Sequence, residues 1–84
     1  MANEEIYTAL TGIVRDILMS DGVELRAETT AADVPGWDSM AQIMIVVAVE
    51  KHFSIQFGTM ELEAIGASNV GDFVRMIDAK LGGK

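Results

Sequence analysis

The chain has 84 residues, of which 13 are acidic and 6 are basic, so its formal charge is −7. This length fits one domain, which we expect over residues 1–84 with an ordered core at about 3–81. Having no cysteine and one histidine, the chain cannot form disulfides, use its own thiols in catalysis or build a multi-histidine metal site. The acidic balance argues against binding to nucleic acid or to an anionic membrane, because both require clustered Lys and Arg.

The first predicted element is an amphipathic helix over residues 3–19. Asn3 is its expected N-cap, and Ser20-Asp21-Gly22 is expected to end it, with Gly22 able to take a positive φ. Its apolar residues recur at the spacing of one helix face, and they are Ile6, Leu10, Ile13, Val14, Ile17 and Leu18.

A long connection over residues 22–38 follows this helix. Its sizeable apolar residues are Val23, Leu25, Val34 and Trp37. A loop of this length is uncommon in a small domain and tends to carry function.

Residues 39–53 are predicted to form the second helix. The β-branched residues of the stretch 43–49 favour a strand by propensity, but no second strand-like run is present to pair with it. Asp38 and Ser39 suit a helix start, and the apolar pattern extends to Phe53, further than a typical strand. Because this helix is apolar almost all round, we expect it to be central and buried.

Two further helices complete the predicted fold. A short one covers residues 59–65, and the last covers residues 70–81, with Asn69 as its N-cap and Asp72 in a capping-box position. We therefore expect an all-α fold. It is a small four-helix bundle of three main helices and one short helix, with a long loop between helices one and two.

No stretch of the chain has the pattern of a targeting or membrane segment. The N-terminus is acidic, whereas a signal peptide opens with positive charge. The longest apolar run, residues 43–49, is shorter than the about 20 residues that a membrane-spanning helix needs. We expect a cytoplasmic monomer that does not insert into membranes.

The side chains do not predict a self-contained catalytic site. A nucleophilic serine needs a base within hydrogen-bond reach, yet Ser39 and His52 would lie about 20 Å apart along one helix. His52 is better explained as a helix-end residue at the negative end of the helix dipole. We therefore expect that the protein is not an enzyme.

Ser39 has two explanations at this point. In the first, Asp38 or Ser39 only caps the second helix, as Ser and Asp commonly do. In the second, the Ser39 hydroxyl is a modification site at a helix N-terminus, where backbone N–H groups favour an attached phosphate. Asp38 would then help to hold a metal ion while another enzyme transfers the group.

The sequence Gly-Trp-Asp-Ser-Met at residues 36–40 resembles the Asp-Ser-Leu attachment motif of acyl carrier proteins and related carrier domains. The resemblance extends to the first helix, the long loop, residues 50–55 at the end of helix two and residues 69–72 at the start of the last helix. The motif gains specificity from its position at a loop-to-helix junction of an acidic four-helix chain. It also favours helix over strand for residues 40–53.

This resemblance implies that Ser39 carries a 4′-phosphopantetheine arm, with Asp38 in a supporting role. A phosphopantetheinyl transferase would add the arm from coenzyme A with Mg²⁺, and the thiol of the arm would hold acyl groups as thioesters. The resemblance thus implies a free-standing acyl carrier in fatty-acid, polyketide or related specialised lipid or secondary-metabolite biosynthesis. Its partners would be the transferase and the acyl- or aminoacyl-loading and synthase enzymes, of which the carrier is a substrate.

The apolar faces of the helices are expected to form the core first and, in part, to line an acyl cavity. They comprise Ile43, Val46, Val47, Phe53, Ile65, Phe73 and Val74. A charge at one of these positions would be buried in the core, so Val47→Asp is expected to unfold the domain.

Helix two departs from the family pattern in its expected partner face. Met40 stands where the family usually has Leu, a swap that conserves volume. Fatty-acid carriers usually have acidic residues on this face, and the corresponding residues here are Ala41, Met44, Glu50, Lys51 and His52, of which Glu50 alone is acidic. Met40, Met44 and Glu50 are the candidate partner-binding residues.

Because this face carries so little charge, it would attract the basic binding sites of partner enzymes only weakly. Exposed Met44, Ile45 or Val49 would offer apolar contact instead, unless these residues pack against the loop. We therefore expect a specialised carrier with its own partners.

Two other functions remain open from the sequence. An aminoacyl or peptidyl carrier of the nonribosomal or D-alanyl type accommodates the same motif. A small helical interaction module without a prosthetic group belongs to a different class.

Overall fold

Within residues 3–82, which the computed structural model describes, every regular element is helical. The elements are α1 (Asn3–Leu18), a single-turn 3-10 helix (Ala31–Asp33), α2 (Ser39–Phe53), α3 (Thr59–Ala67) and α4 (Val70–Gly82). The all-α four-helix prediction is confirmed, and the 3-10 turn adds an element that the sequence pattern did not reveal. The ends of the predicted domain, residues 1–2 and 83–84, lie outside the described residues. No helix within the described part is long and apolar enough to cross a membrane.

Helix α1 is the central element of the bundle. It packs against both α2 and α4, and its residues Ile6, Leu10 and Val14 are completely buried. The core also contains the expected residues Val46, Phe53, Ile65, Phe73 and Val74. The apolar stripe of α1 thus holds the bundle together by removing its area from water.

Helix α2 is not buried all round, which corrects the expectation that it is the central helix. Its buried residues are Ala41, Ile45, Val46, Val49 and Phe53. The opposite side, here named the α2 apolar face, is exposed and consists of Met40 (69%), Ile43 (64%), Met44 (50%) and Val47 (41%).

The expected burial of α2 residues was therefore wrong at three positions. Ile43 and Val47 were expected in the core and are exposed, whereas Ala41 was expected on the surface and is buried. Ile45 and Val49, for which the sequence left exposure and packing both open, are buried. Both sides of α2 carry apolar residues at helical spacing, so hydrophobic periodicity cannot select the buried one. Packing against α1 makes that choice.

Helices α1 and α2 each end at a non-glycine residue with positive φ. Met19 has φ 54° and Ser54 has φ 57°, so the prediction that Gly22 ends α1 in this conformation was wrong. The Ser20 N–H donates to Arg15 O at 3.0 Å, and the Ile55 N–H donates to Glu50 O at 3.0 Å. These bonds satisfy carbonyls at the helix ends as in a Schellman motif. At its other end, α1 already includes Asn3, which is therefore not its N-cap.

The long loop is anchored in the core by a tight turn. The Trp37 N–H donates to Val34 O at 3.2 Å, with Pro35 and Gly36 between them and a φ of +89° at Gly36. This is the pattern of a type II turn, in which Pro presets the second residue and Gly accepts the positive φ of the third. The turn places Val34 and Trp37 in the core.

The loop also covers the start of α4. The Val70 N–H donates to Thr29 O at 2.7 Å and the Gly71 N–H donates to Ala27 O at 2.9 Å. The Asp72 N–H donates to Asn69 Oδ1 at 2.9 Å, so Asn69 caps α4 as predicted. Loop carbonyls and the cap thus satisfy the backbone donors that a helix start leaves free.

We expect Gly71→Ala to lower the free energy of unfolding by about 1–2 kcal/mol, because the added Cβ overpacks the junction. That Cβ would lie 3.0 Å from both Cβ and O of Ala27. The matched control is Gly12→Ala in α1, where the added Cβ would meet no atom within 4 Å apart from its chain neighbours and the backbone of its own helix. It should stabilise by about 0.5–1 kcal/mol through helix propensity. Urea unfolding of both variants tests this, and equal stabilisation of the two would contradict tight packing at Gly71.

Helix α3 is held to the body by few contacts, and its buried residue is Ile65. Glu61 accepts a 2.7 Å hydrogen bond from the Gly58 N–H and pairs with Lys80 on α4 at 2.8 Å. The Gly58 N–H and the Lys80 ammonium hold the pKa of Glu61 below its ordinary value of 4.5. The ionised Glu61 carboxylate therefore adds to the free energy of unfolding at pH values above 4.5, and this contribution is lost as the pH falls below 4.5.

Candidate functional site

Ser39 is the first residue of α2, and its side chain is exposed. The preceding residue, Asp38, has an extended backbone and caps the helix by accepting a 2.9 Å hydrogen bond from the Ala41 N–H. The hydroxyl of Ser39 makes no hydrogen bond to any residue in the range 3–82. Of the two capping candidates, Asp38 therefore caps α2, and the Ser39 hydroxyl is left available at the positive end of the helix dipole.

Trp37 anchors the end of the loop, next to Ser39, in the core. Its indole is buried, and its Nε1–H donates to Gln42 Oε1 at 2.6 Å. The position of Asp38 and Ser39 is therefore fixed by the preceding turn, which is anchored in the core by Trp37. Gln42 stands one helical turn after Ser39, next to the candidate site.

A groove runs along α2 from Ser39 toward α3. Its first part encloses about 450 Å³ and includes Asp38, Ser39 and Gln42 on its polar side. Its second part encloses about 220 Å³ and is mainly apolar, lined by Gln42, Ile43, Val46, Val47, Glu50 and Leu62. The two parts are open depressions that share Gln42 and Ile43 in their linings, and together they are here named the α2–α3 groove.

The three candidate partner residues have different environments. Met40 and Met44 are exposed on the α2 apolar face. Glu50 is half-buried, and its Oε2 accepts a 2.9 Å hydrogen bond from the Phe57 N–H. The one acidic residue of α2 is thereby engaged inside the molecule, and residues 39–49 carry no charge.

His52 lies in the last turn of α2, at the opposite end of the helix from Ser39. Its ring contacts Phe53 edge-on, with 4.7 Å between the ring centroids. This position agrees with the expected helix-end role and does not form a Ser–His pair.

Sequence reasoning missed Gln42 and the groove that it lines. The signal for Gln42 was present, because it is the one polar residue in the otherwise apolar stretch 40–49. The groove itself is formed by residues distant in sequence, such as Ile43 and Leu62, so no local pattern predicts it.

Three relatives of similar length match the chain over most of its extent. The acyl carrier protein of Prochlorococcus marinus (strain MIT 9515) is 32% identical over 82 residues, which cover 98% of this chain and 100% of that protein. The chain belongs to the acyl carrier proteins. The acyl carrier protein of Thermotoga maritima is 32% identical over 81 residues, covering 96% and 98%. The acyl carrier protein of Clostridium acetobutylicum is 31% identical over 74 residues, covering 88% and 94%.

A solved acyl carrier structure shares the fold. The solution NMR structure of holo acyl carrier protein from Geobacter metallireducens is 37% identical to the chain and superimposes with a TM-score of 0.82, covering 90% of this chain and 85% of that one. No protein-family model matches the sequence. The predicted resemblance to acyl carrier proteins is nevertheless confirmed by these full-length relatives, and the function of the chain is that of an acyl carrier.

Proposed function

We propose that this acyl carrier holds its cargo as a thioester on a 4′-phosphopantetheine arm that is joined to Ser39 through a phosphodiester. The observation that carries the proposal is the exposed hydroxyl of Ser39 at the first position of a 15-residue helix whose cap is supplied by Asp38. The structural neighbour from Geobacter metallireducens is a holo protein. A phosphodiester at this position is favoured by the free N–H groups and the dipole of the helix N-terminus.

The residues around Ser39 fit such a group. Ser39 Oγ supplies the ester oxygen, and the backbone N–H groups of the first turn of α2 face the phosphodiester charge. When bound, the arm supplies a terminal thiol, which the cysteine-free chain lacks. The chain itself offers the tether and the groove, and its partner enzymes carry out the chemistry.

The direct experiment is an intact mass measurement. We expect the protein, incubated with coenzyme A, Mg²⁺ and a phosphopantetheinyl transferase, to gain the mass of one 4′-phosphopantetheine. No gain would reject the arm and leave a helical interaction module as the remaining interpretation.

The second candidate function is that of an aminoacyl or peptidyl carrier, which would gain the same mass. Loading the modified protein with malonyl or fatty acyl groups, in parallel with an amino acid from an adenylating enzyme, separates the two functions. The acyl carrier relatives favour acyl cargo. Preferential acceptance of the amino acid would favour the aminoacyl carrier instead.

The α2 apolar face is the surface that we propose for partner enzymes, because it begins beside Ser39 and continues along the helix. It carries Met40 and Met44, and Glu50 at its end is already engaged with the Phe57 N–H. An exposed apolar stripe without charge matches an apolar partner surface better than a basic one. This supports a specialised carrier whose partners differ from those of housekeeping fatty-acid synthesis.

Titration with a housekeeping ketosynthase tests this selectivity. We expect weak binding that changes little with ionic strength, since residues 39–49 present no charge to steer on. Tight binding that weakens with added salt would show that acidic residues outside this face guide the encounter.

Asp38→Ala should slow modification of Ser39 more than it destabilises the fold. Loss of the cap costs about 0.5–2 kcal/mol, whereas loss of the carboxylate beside Ser39 removes its proposed contribution to transfer. Asn69→Ala is the matched control, because it removes the equivalent cap of α4. Rates of mass gain and urea unfolding of both variants measure the two effects. Equal slowing in both would mean that Asp38 acts through stability alone.

A further inference from the structure

Methionine side chains are unusually exposed in this protein. Met40 and Met44 make up half of the α2 apolar face, and Met19 and Met60 are exposed outside α2. Methionine is a residue type that folded proteins mostly bury. Because the chain has no cysteine, thioethers are the only kind of oxidisable sulfur that its own side chains contain.

Met40 and Met44 differ from the other exposed methionines in their position. Met40 follows Ser39 directly, and Met44 lies one helical turn further along the same side of α2. Residues 39–49 carry no charge, so an enzyme that approaches the Ser39 hydroxyl along this face meets thioethers and aliphatic carbon. Met19, by contrast, lines the same surface depression as His52, at the opposite end of α2.

We propose that Met40 and Met44 are a peroxide-sensitive modification site, whose oxidation closes the α2 apolar face to partner enzymes. Each thioether sulfur attacks one oxygen of hydrogen peroxide, so that an S–O bond forms and the O–O bond breaks. The leaving hydroxide takes the proton of the transferred oxygen and becomes water. The sulfur is oxidised by two electrons to the sulfoxide, and the peroxide is reduced. The inference rests on the proposed function, since it concerns enzymes that act at Ser39.

A sulfoxide changes what this face presents to a partner. It replaces a soft apolar thioether by a polar group whose oxygen accepts hydrogen bonds from water. An apolar partner surface supplies no donor to that oxygen, so docking would leave the oxygen desolvated and unpaired. The fold does not share this cost, because both side chains lie at the surface and the cap of α2 comes from Asp38.

The modification is chemically reversible. Methionine sulfoxide reductases of the two stereospecificities return the sulfoxide to the thioether. In that step the sulfoxide oxygen leaves as water while two thiols of the reductant are oxidised to a disulfide. The accessibility of the α2 apolar face would therefore follow the balance between peroxide and thiol reductant.

The test uses the protein before the arm is attached, so that the thiol of the arm is absent during oxidation. The protein is treated with hydrogen peroxide, freed of it with catalase, and mapped by peptide mass spectrometry. Sulfoxide should form at Met40 and Met44 before it forms at Met76, which packs partly buried against the core. Transfer of 4′-phosphopantetheine from coenzyme A should then slow roughly fivefold or more at low carrier concentration, the effect of a polar group left unpaired. The thermal transition should not change.

Two variants identify the sulfur atoms responsible. The double variant Met40→Leu/Met44→Leu nearly conserves the volume and removes both thioethers, so its transfer rates before and after peroxide should be equal. Because it retains the exposed Met19 and Met60, it also shows whether oxidation elsewhere has any effect. Met19→Leu is the matched control and should remain as sensitive to peroxide as the unmutated protein. Treatment of the oxidised protein with both reductases should restore the rate.

The outcomes separate this inference from the proposed function. An oxidised protein that is modified at the full rate, or a double variant that slows as much as the unmutated protein, overturns the inference while the mass gain at Ser39 stands. If the double variant fails to fold, singly oxidised species separated by chromatography decide. Sulfoxide at Met40 should slow transfer and sulfoxide at Met19 should not, and equal rates for the two overturn the inference. If the unoxidised protein gains no mass, the proposed function is rejected and this inference with it.

Discussion

Ser39→Ala should abolish the mass gain from coenzyme A completely while leaving the fold unchanged. The attachment requires the Oγ nucleophile, and no neighbouring side chain replaces it at this position. The fold is expected to survive because the cap of α2 comes from Asp38, and because the Ser39 hydroxyl has no hydrogen bond within the described chain. Intact mass and the helical circular dichroism spectrum measure the two effects.

Thr59→Ala is the matched control for this experiment. Thr59 is also an exposed hydroxyl residue at the first position of a helix, in this case α3. It should retain full modification, since the site depends on the loop that presents Ser39 and not on a helix N-terminus alone. A mass gain that persists in Ser39→Ala would reject Ser39 as the tether, and loss in Thr59→Ala would point to a less specific effect on the fold.

Val49→Asp should unfold the domain, whereas Val47→Asp should leave it folded. Val49 is completely buried and Val47 is 41% exposed, although both are valines in the middle of the same helix. A carboxylate at position 49 would have to be desolvated in the core without a partner, at a cost of more than about 3 kcal/mol. At position 47 it remains in contact with water, so the expectation that Val47→Asp unfolds the domain is reversed.

Thermal melts followed by circular dichroism test this pair. Loss of the cooperative transition in Val49→Asp, together with a native-like transition in Val47→Asp, is the expected result. Unfolding of both variants would mean that the α2 apolar face is covered within the molecule. The folded Val47→Asp variant also places a charge on the proposed partner surface, so it should weaken binding to apolar partners.

The sequence predicted the helical elements and the position of the exposed Ser39 hydroxyl because both depend on local signals. The stripes of α1 and α4 repeat at helical spacing with polar residues between them, so each has one possible buried side. The Asn69 cap and the loop-to-helix position of Ser39 follow from short-range chemistry in the same way. The family resemblance rested on these local features, and the relatives confirm it.

Other features depended on contacts between distant parts of the chain. In α2 both sides are apolar, and packing against α1 decided that Ile45 and Val49 are buried while Met44 stays exposed. The end of α1 is a local exception: the backbone hydrogen bond from Ser20 to Arg15 accompanies a left-handed residue at Met19 and not at Gly22, and the residue types did not indicate this.

Amino-acid order by itself thus determined the helical segments, the Asn69 cap of α4 and the hydroxyl at the start of α2, because each arises within a few residues. The tertiary structure alone decided which side of α2 faces water and how the loop covers α4. These depend on which surfaces meet, and burial is a property of the whole packed chain and not of any one segment.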